Sequence, residues 1–340
     1  MTRVVPFDGS PAEWDAFVRS QRGWTHFHLY GWRDVMRTAL RHETIYLAAW
    51  HGVALTGVLP LVRVRSALFG HYLVSMPFLN YGGPLGGPAA VQALAAEAIR
   101  LSVTSGARLL ELRSALELPI NLPVSHRKVT VVLDLPADGD ALMKSFSAKL
   151  RSQVRRPEKE GVRYAFGPDQ VAPFFAVFSR HMRDLGTPTQ GRHLFETIAH
   201  NFPMDARFGC AWLGDRPIAA GAGFRWGGEF EMTWASALSE FNHTSANMGL
   251  YRAFMEQAIT EGCTRFNFGR CTPGSGTHRY KLQWGGRDEP LWWYQHTPGG
   301  APTATPSPDQ GAFSWGPRIW KRLPLAVATA LGPQIVRLIP

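Results

Sequence analysis

The sequence predicts an α/β (α+β) protein built from two tandem domains of like construction. Three observations lead there. At 340 residues the chain exceeds what one hydrophobic core organises. A hydrophobic content of 45% with twelve tryptophans describes a chain that folds. And one order of elements, hairpin then helix then strand, occurs twice at nearly constant spacing.

The first copy opens with Leu47–Leu61, two alternating runs around a turn at His51-Gly52; the second opens with Gly209–Phe224, turning at Gly214-Asp215. The pattern then predicts helices over Ala89–Thr104 and Asn247–Thr260, with Ser245 or Asn247 as N-cap of the latter. Gly106 and Gly262 stop these helices, and strands follow over Arg108–Arg113 and Thr264–Phe268. Trp50 and Trp212 are offset by 162 residues, Gly106 and Gly262 by 156. Between the copies we expect a strand over Val129–Leu133, a helix over Asp138–Lys159 broken at Pro157, and helices over Val171–Leu185 and Arg192–His200. Domains are expected at 1–128 and 129–297, with a low-complexity linker over 298–312 and a basic, apolar tail over 313–340. In that tail Pro317, Pro324 and Pro333 should leave only short pieces.

Several chemistries find no pattern. Three cysteines without a CxxC predict neither a disulfide framework nor a redox pair. His26-x-His28 lacks a second ligand pair, so no metal site is expected. Gly274-Ser275-Gly276 lacks the outer spacing of a nucleophile elbow. The N-terminus carries early acids and no apolar signal region, and no run reaches the length of a membrane span, so a cytoplasmic protein is expected. The net charge of +10 points to anionic partners. Lys144–Arg163 holds seven basic residues against Glu158 and Glu160. Arg151 and Arg155 share a helix face, which suits a phosphorylated substrate or tRNA; the alternative is a solvated face. Lys281 follows an aromatic residue and a glycine-rich loop, a setting suited to an anion or an acyl-transfer oxyanion. Asn80-Tyr81-Gly82-Gly83 predicts a loop in which Tyr81 meets substrate, or else a tight structural turn. Glu111, Glu231 and Asn267 stand near strand ends, and none is singled out as a general base.

Three segments together carry a resemblance: Phe146–Val162, Phe78–Pro88 (FLNYGGPLGGP) and Asn247–Gly286. They resemble the FemAB-like family of tandem GNAT-fold acyltransferases, over roughly Trp14–Tyr294. The tail around WKRLPLAVATALGP is similar to that of FemAB-related proteins of exosortase and exopolysaccharide systems. The resemblance implies two GNAT-like domains with mixed sheets, the second carrying the catalytic motif. It implies transfer of an acyl or aminoacyl group to an amine of a cell-envelope or exopolysaccharide precursor; the alternatives are a CoA-dependent N-acyltransferase of small molecules and a non-catalytic protein that binds membrane or nucleic acid. No cofactor would be permanently bound; the donor would be aminoacyl-tRNA or acyl-CoA. Lys281 would be catalytic, with Tyr280, Arg151, Arg155, Lys149, Tyr81 and Asn80 binding substrate. Partners would be an anionic or phosphorylated substrate and tRNA; the basic, apolar tail over 313–340 either lies on an anionic membrane surface, at the inner face of the cytoplasmic membrane, or packs onto the body of the protein. Two departures stand out. Where bridge-forming relatives place a lysine after an early Trp-x-x-Val, this chain has Arg37, and no complete pyrophosphate loop precedes the helix at Asn247.

Overall fold

A computed structural model describes residues 2–66, 69–298 and 316–339. The chain divides into two compact units. In the first, β1 (Thr2–Pro6) is followed by α1 (Pro11–Ser20) and the single turn α2 (Trp32–Asp34). A hairpin β2 (Glu43–His51) and β3 (Ala54–Ser66) comes next, then β4 (Gly70–Val74) and β5 (Leu85–Gly86). Helix α3 (Pro88–Thr104) crosses to β6 (Leu109–Ser114), and β7 (Val124–Ser125) follows. The hairpin forms because Gly52 supplies the left-handed turn residue (φ +60°) between two alternating runs. Gly106 (φ +68°) ends α3 in the same way, and β6 then lies parallel to β4. Leu94 and Ala98 of α3 pack on Leu47, Leu59, Leu61 and Leu110 of the sheet. Beneath lies a buried ion pair: Arg113 meets Glu111 at 2.7 Å, and Gln295 donates to the other Glu111 oxygen.

The second unit begins with β8 (Val129–Asp134), α4 (Gly139–Ser145), α5 (Ala148–Lys159), β9 (Val162–Phe166), α6 (Val171–Leu185) and α7 (Arg192–Asn201). It continues through β10 (Ala206–Leu213), β11 (Arg216–Trp226), β12 (Glu229–Ala237), α8 (Ala246–Thr260), β13 (Arg265–Cys271), α9 (Gly276–Leu282) and β14 (Arg287–Pro290). The sheet order is β14-β8-β13-β12-β11-β10-β9, with β12 and β13 parallel and the pairs β8–β13, β12–β11, β11–β10 and β10–β9 antiparallel. Alternation assigns its faces. Phe230 and Met232 meet Phe254 of α8, with Leu150 and Val154 of α5 in the same cluster. Phe224 and Trp234 face the opposite way, onto the Phe174–Phe195 pair of α6 and α7.

Four features differ from the sequence expectation. The expected helix over Asp138–Lys159 is two helices parted at Phe146-Ser147, because Ser147 caps a new start by accepting from the Leu150 amide. Pro157 does not break α5; it sits in the last turn and is buried. The loop ahead of Tyr280-Lys281 winds into α9, capped by Ser275. Finally, β15 (Trp292–His296), assigned from sequence to the second domain, inserts between β6 and β7 of the first sheet. There the Trp293 indole covers the Arg113 guanidinium at 4.4 Å.

Most of the linker, together with residues 313–315, lies outside the described residues. Beyond them, α10 (Gly316–Trp320) and α11 (Leu325–Val336) pack against α6, and Arg183 donates to the Leu323 carbonyl at 3.1 Å. Trp320, Ala328 and Gly332 are buried, and Pro333 stays inside α11 rather than ending it. Among the described residues no helix is long and apolar enough to cross a membrane.

Candidate active site

The site arises where β12 and β13 part. Their parallel pairing covers only Glu229–Arg265, Phe230–Phe266 and Glu231–Asn267. Against β11, Ala222 opposes Trp234 while Gly223 opposes Met232, so Thr233 is an extra residue that bends β12. β13 is irregular as well, with Gly269 at φ +71° and a register shift against β8 between Asn267 and Arg270. A cavity of about 530 Å³ opens beside the diverging ends. Its wall takes Ala235–Ala237 from β12, Asn247 and Tyr251 from α8, Thr277 and Tyr280 from α9, and His181 and Asp184 from α6.

Helix α9 is held firmly. The Gly274 amide donates to His278 Nδ1 at 3.0 Å, and His278 Nε2 donates to the Asp288 carboxylate at 2.9 Å. Both ring nitrogens are therefore engaged in bracing the loop. Tyr280 projects into the cavity wall, its hydroxyl accepting from Asn247 Nδ2 at 2.9 Å. Burial pushes its pKa well above the ordinary phenol value, so it is protonated at neutral pH. The Tyr280 proton thus remains available for donation.

Lys281, the neighbouring residue, is placed differently. It is only 5% exposed, and its ammonium donates to the Gly269 and Arg270 carbonyls at 2.7 and 2.9 Å. Desolvation lowers its pKa to about 8, with Glu231 and Cys271 opposing that shift. Lys281 is not part of the cavity wall. In this arrangement it ties α9 to the irregular end of β13.

A second cavity, of about 590 Å³, lies along α5. Arg151, Arg155, Arg156 and Lys159 line it with Ser245, the residue that starts α8. Ser245 holds φ +57°, a left-handed conformation costly for a non-glycine residue. The two cavities meet α8 two residues apart, at Ser245 and at Asn247. Lys149 is exposed on α5 outside this wall.

Asn80 and Tyr81 lie in the first unit and are buried. The Asn80 carbonyl accepts from the Trp293 indole at 3.2 Å, and Tyr81 stacks on Phe27. Their segment is buried within that unit, where the Gly83 amide donates to the Arg113 carbonyl at 2.6 Å. Glu111 is committed to Arg113, and Asn267 to Thr130, Glu229 and the Gly269 amide. Neither these nor Glu231 reaches the cavity wall. The three cysteines form no disulfide and are buried, and desolvation pushes the Cys210 thiol up to about 12. His181 and Asp184 escaped the sequence analysis, because α6 shows the apolar spacing of a packed helix and nothing local marks its last turn.

Residues 144–282 match the family described as acetyltransferase (GNAT) domain. No curated protein matches the chain. Solved structures of similar fold include a crystal structure of FemX, with TM-score 0.65 and 15% identity, covering 85% of this chain and 97% of that one. L-PGS from Bacillus licheniformis aligns with TM-score 0.58 and 12% identity over 98% of each chain. A tandem GNAT protein from the clavulanic acid biosynthesis pathway aligns with TM-score 0.52 and 11% identity, over 89% of this chain and all of that one (100%).

Proposed function

We propose that this chain, whose residues 144–282 match an acetyltransferase (GNAT) domain and whose fold is like that of FemX and of a tandem GNAT protein, is an acyltransferase that transfers an acyl or aminoacyl group to an amine of a cell-envelope or exopolysaccharide precursor. One observation carries this reading: the basic cavity and the cavity at the end of β12 share the N-terminal turn of α8. A donor with its phosphate at one end and its acyl group at the other, either aminoacyl-tRNA or acyl-CoA, matches that pair. Arg151 and Arg155 hold the phosphate beside the start of α8, where the helix dipole favours negative charge. The acyl carbonyl then lies in the neighbouring cavity, with the Tyr280 hydroxyl supplying a proton to the departing sulfur or oxygen.

Salt dependence tests the phosphate site. Donor affinity is expected to fall as salt rises, each phosphate contact adding roughly 0.7–0.9 to the slope of log K against log salt. Replacing Arg151 and Arg155 together with Ala should flatten that slope by roughly one contact or more. An unchanged slope would return the stripe to a solvated helix face. Incubating the native protein with acetyl-CoA and with alanyl-tRNA, using glucosamine as amine, tests the transfer itself. Hydrolysis of neither donor and acylation of no amine would remove the reading.

The tail supports a second element of the proposal, peripheral attachment to acidic lipid. With its inner side packed on α6, α11 turns Val327 and Leu331 outward, four residues apart on one face, and α10 exposes Ile319. Arg318, Lys321 and Arg322 are exposed beside them, and residues 313–340 contain no acid. Apolar side chains flanked by such cations suit an anionic interface. In flotation, the full chain should rise with vesicles rich in phosphatidylglycerol and release at high salt. Reversing Arg318, Lys321 and Arg322 to Glu should abolish flotation without changing Tm. Equal flotation of the two proteins, or none by either, removes this element.

A further inference from the structure

An amine that is to be acylated reaches a neutral solution as its ammonium, so the enzyme needs a proton acceptor. The wall of the cavity at the end of β12 holds four titratable side chains: His181, Asp184, Tyr251 and Tyr280. Tyr251 and Tyr280 are buried phenols whose pKa values lie above the ordinary range, so both are proton-bearing. Asp184 is mostly engaged elsewhere, 2.6 Å from Arg183 Nε. His181 remains. It is half-buried near the end of α6 and lines the cavity together with Ala237, where β12 ends.

We propose that His181 is the catalytic base that takes a proton from the acceptor ammonium in this cavity. The role rests on the acyl-transfer reading above. The neutral imidazole carries its proton on one ring nitrogen and a lone pair on the other, and that lone pair can accept a proton. Of the groups around it, Asp184 on α6 is the charge that acts on the ring; Arg183 is paired with Asp184, and Arg180 with Glu240. Desolvation lowers the His181 pKa from its ordinary 6.5, which keeps the imidazole neutral at pH 7. The protons balance. One ammonium proton passes to His181, and the freed nitrogen forms the C–N bond as the donor C–S or C–O bond breaks. The leaving sulfur or oxygen takes the Tyr280 proton, and a second proton from the amine nitrogen restores Tyr280. The third stays on the amide, and His181 returns its proton to solvent.

The test uses the full chain with acetyl-CoA or alanyl-tRNA as donor and glucosamine as amine. His181→Gln, which keeps a polar side chain of similar length, should reduce kcat by about a hundredfold or more. It should also erase the acidic limb of the kcat/KM profile. His181→Ala should recover activity with added imidazole. Ring resonances of the wild type, assigned by their loss in His181→Gln, should titrate below 6.5. A ring still protonated at pH 7 overturns the proposal whether or not transfer occurs. Transfer by the wild type that is unaltered in His181→Gln overturns this role and leaves the acyl-transfer reading standing. Absence of transfer by the wild type from either donor overturns the reading and this role with it.

Discussion

Replacing Lys281 with Met is expected to lower the melting temperature of the protein and its turnover together. Methionine fills a similar length but cannot donate to the Gly269 and Arg270 carbonyls. Each hydrogen bond to the charged ammonium that is lost costs about 1.5–3 kcal/mol. The combined loss corresponds to a fall in Tm of roughly 5–15 °C for a unit of this size. Turnover falls because α9 carries Tyr280 on the residue before. The pH dependence adds a second signature. The folded-state pKa of about 8 lies below the ordinary 10.5. Below pH 8 both folded and unfolded chains hold the proton, and the difference between wild type and variant is flat. Between about 8 and 10.5 the unfolded chain retains a proton that the folded chain has released, so wild-type stability rises with pH relative to the variant. Thermal melts across that interval measure it. An unmoved Tm with turnover reduced a hundredfold would instead assign the ammonium to the reacting groups.

Gly223→Ala should be as damaging, for a reason of backbone geometry. A Cβ there would lie 2.1 Å from the Glu231 carbonyl oxygen and 2.8 Å from the Phe230 ring. The first obstacle is main chain in the neighbouring strand, which cannot rotate aside, so β11 and β12 must separate where β12 bends. A cost of about 3 kcal/mol is expected. Gly139→Ala is the matched control, since its Cβ would meet nothing closer than 3.5 Å. Denaturation followed by tryptophan fluorescence compares the two. Equal midpoints would refute the register described for these strands.

Local signals made much of this fold readable. Gly52 and Gly214 mark turns between alternating runs, and Gly106 and Gly262 end helices, because each requires a left-handed backbone that the residue type announces. The basic stripe was equally plain, since charge spacing on a helix needs no tertiary information. What the sequence left hidden depends on distant partners. Nothing near Trp292-Trp-Tyr-Gln-His tells it to pair with residues 110–114 rather than with the strands preceding it. Lys281 showed its charge but not its acceptors, which are backbone carbonyls and carry no residue identity. His181 belongs to the cavity only because β12 and α9, far along the chain, come to it.

The return of β15 to the first sheet has a consequence for how the protein is made. Synthesis proceeds from the N-terminus, and the strand that fits between β6 and β7 is among the last of the 340 residues to emerge before the tail. Until then β6 keeps an unpaired edge, and Leu112 lacks the strand that will cover it. The nascent first half therefore waits, partly assembled, while the second half is translated and folds inside its own boundaries. Ribosome-bound chains stopped near residue 200 would be expected to recruit chaperones and to be cut readily by protease. Expressing residues 1–128 alone should give an insoluble fragment, which co-expression of a peptide covering 290–297 would help to rescue.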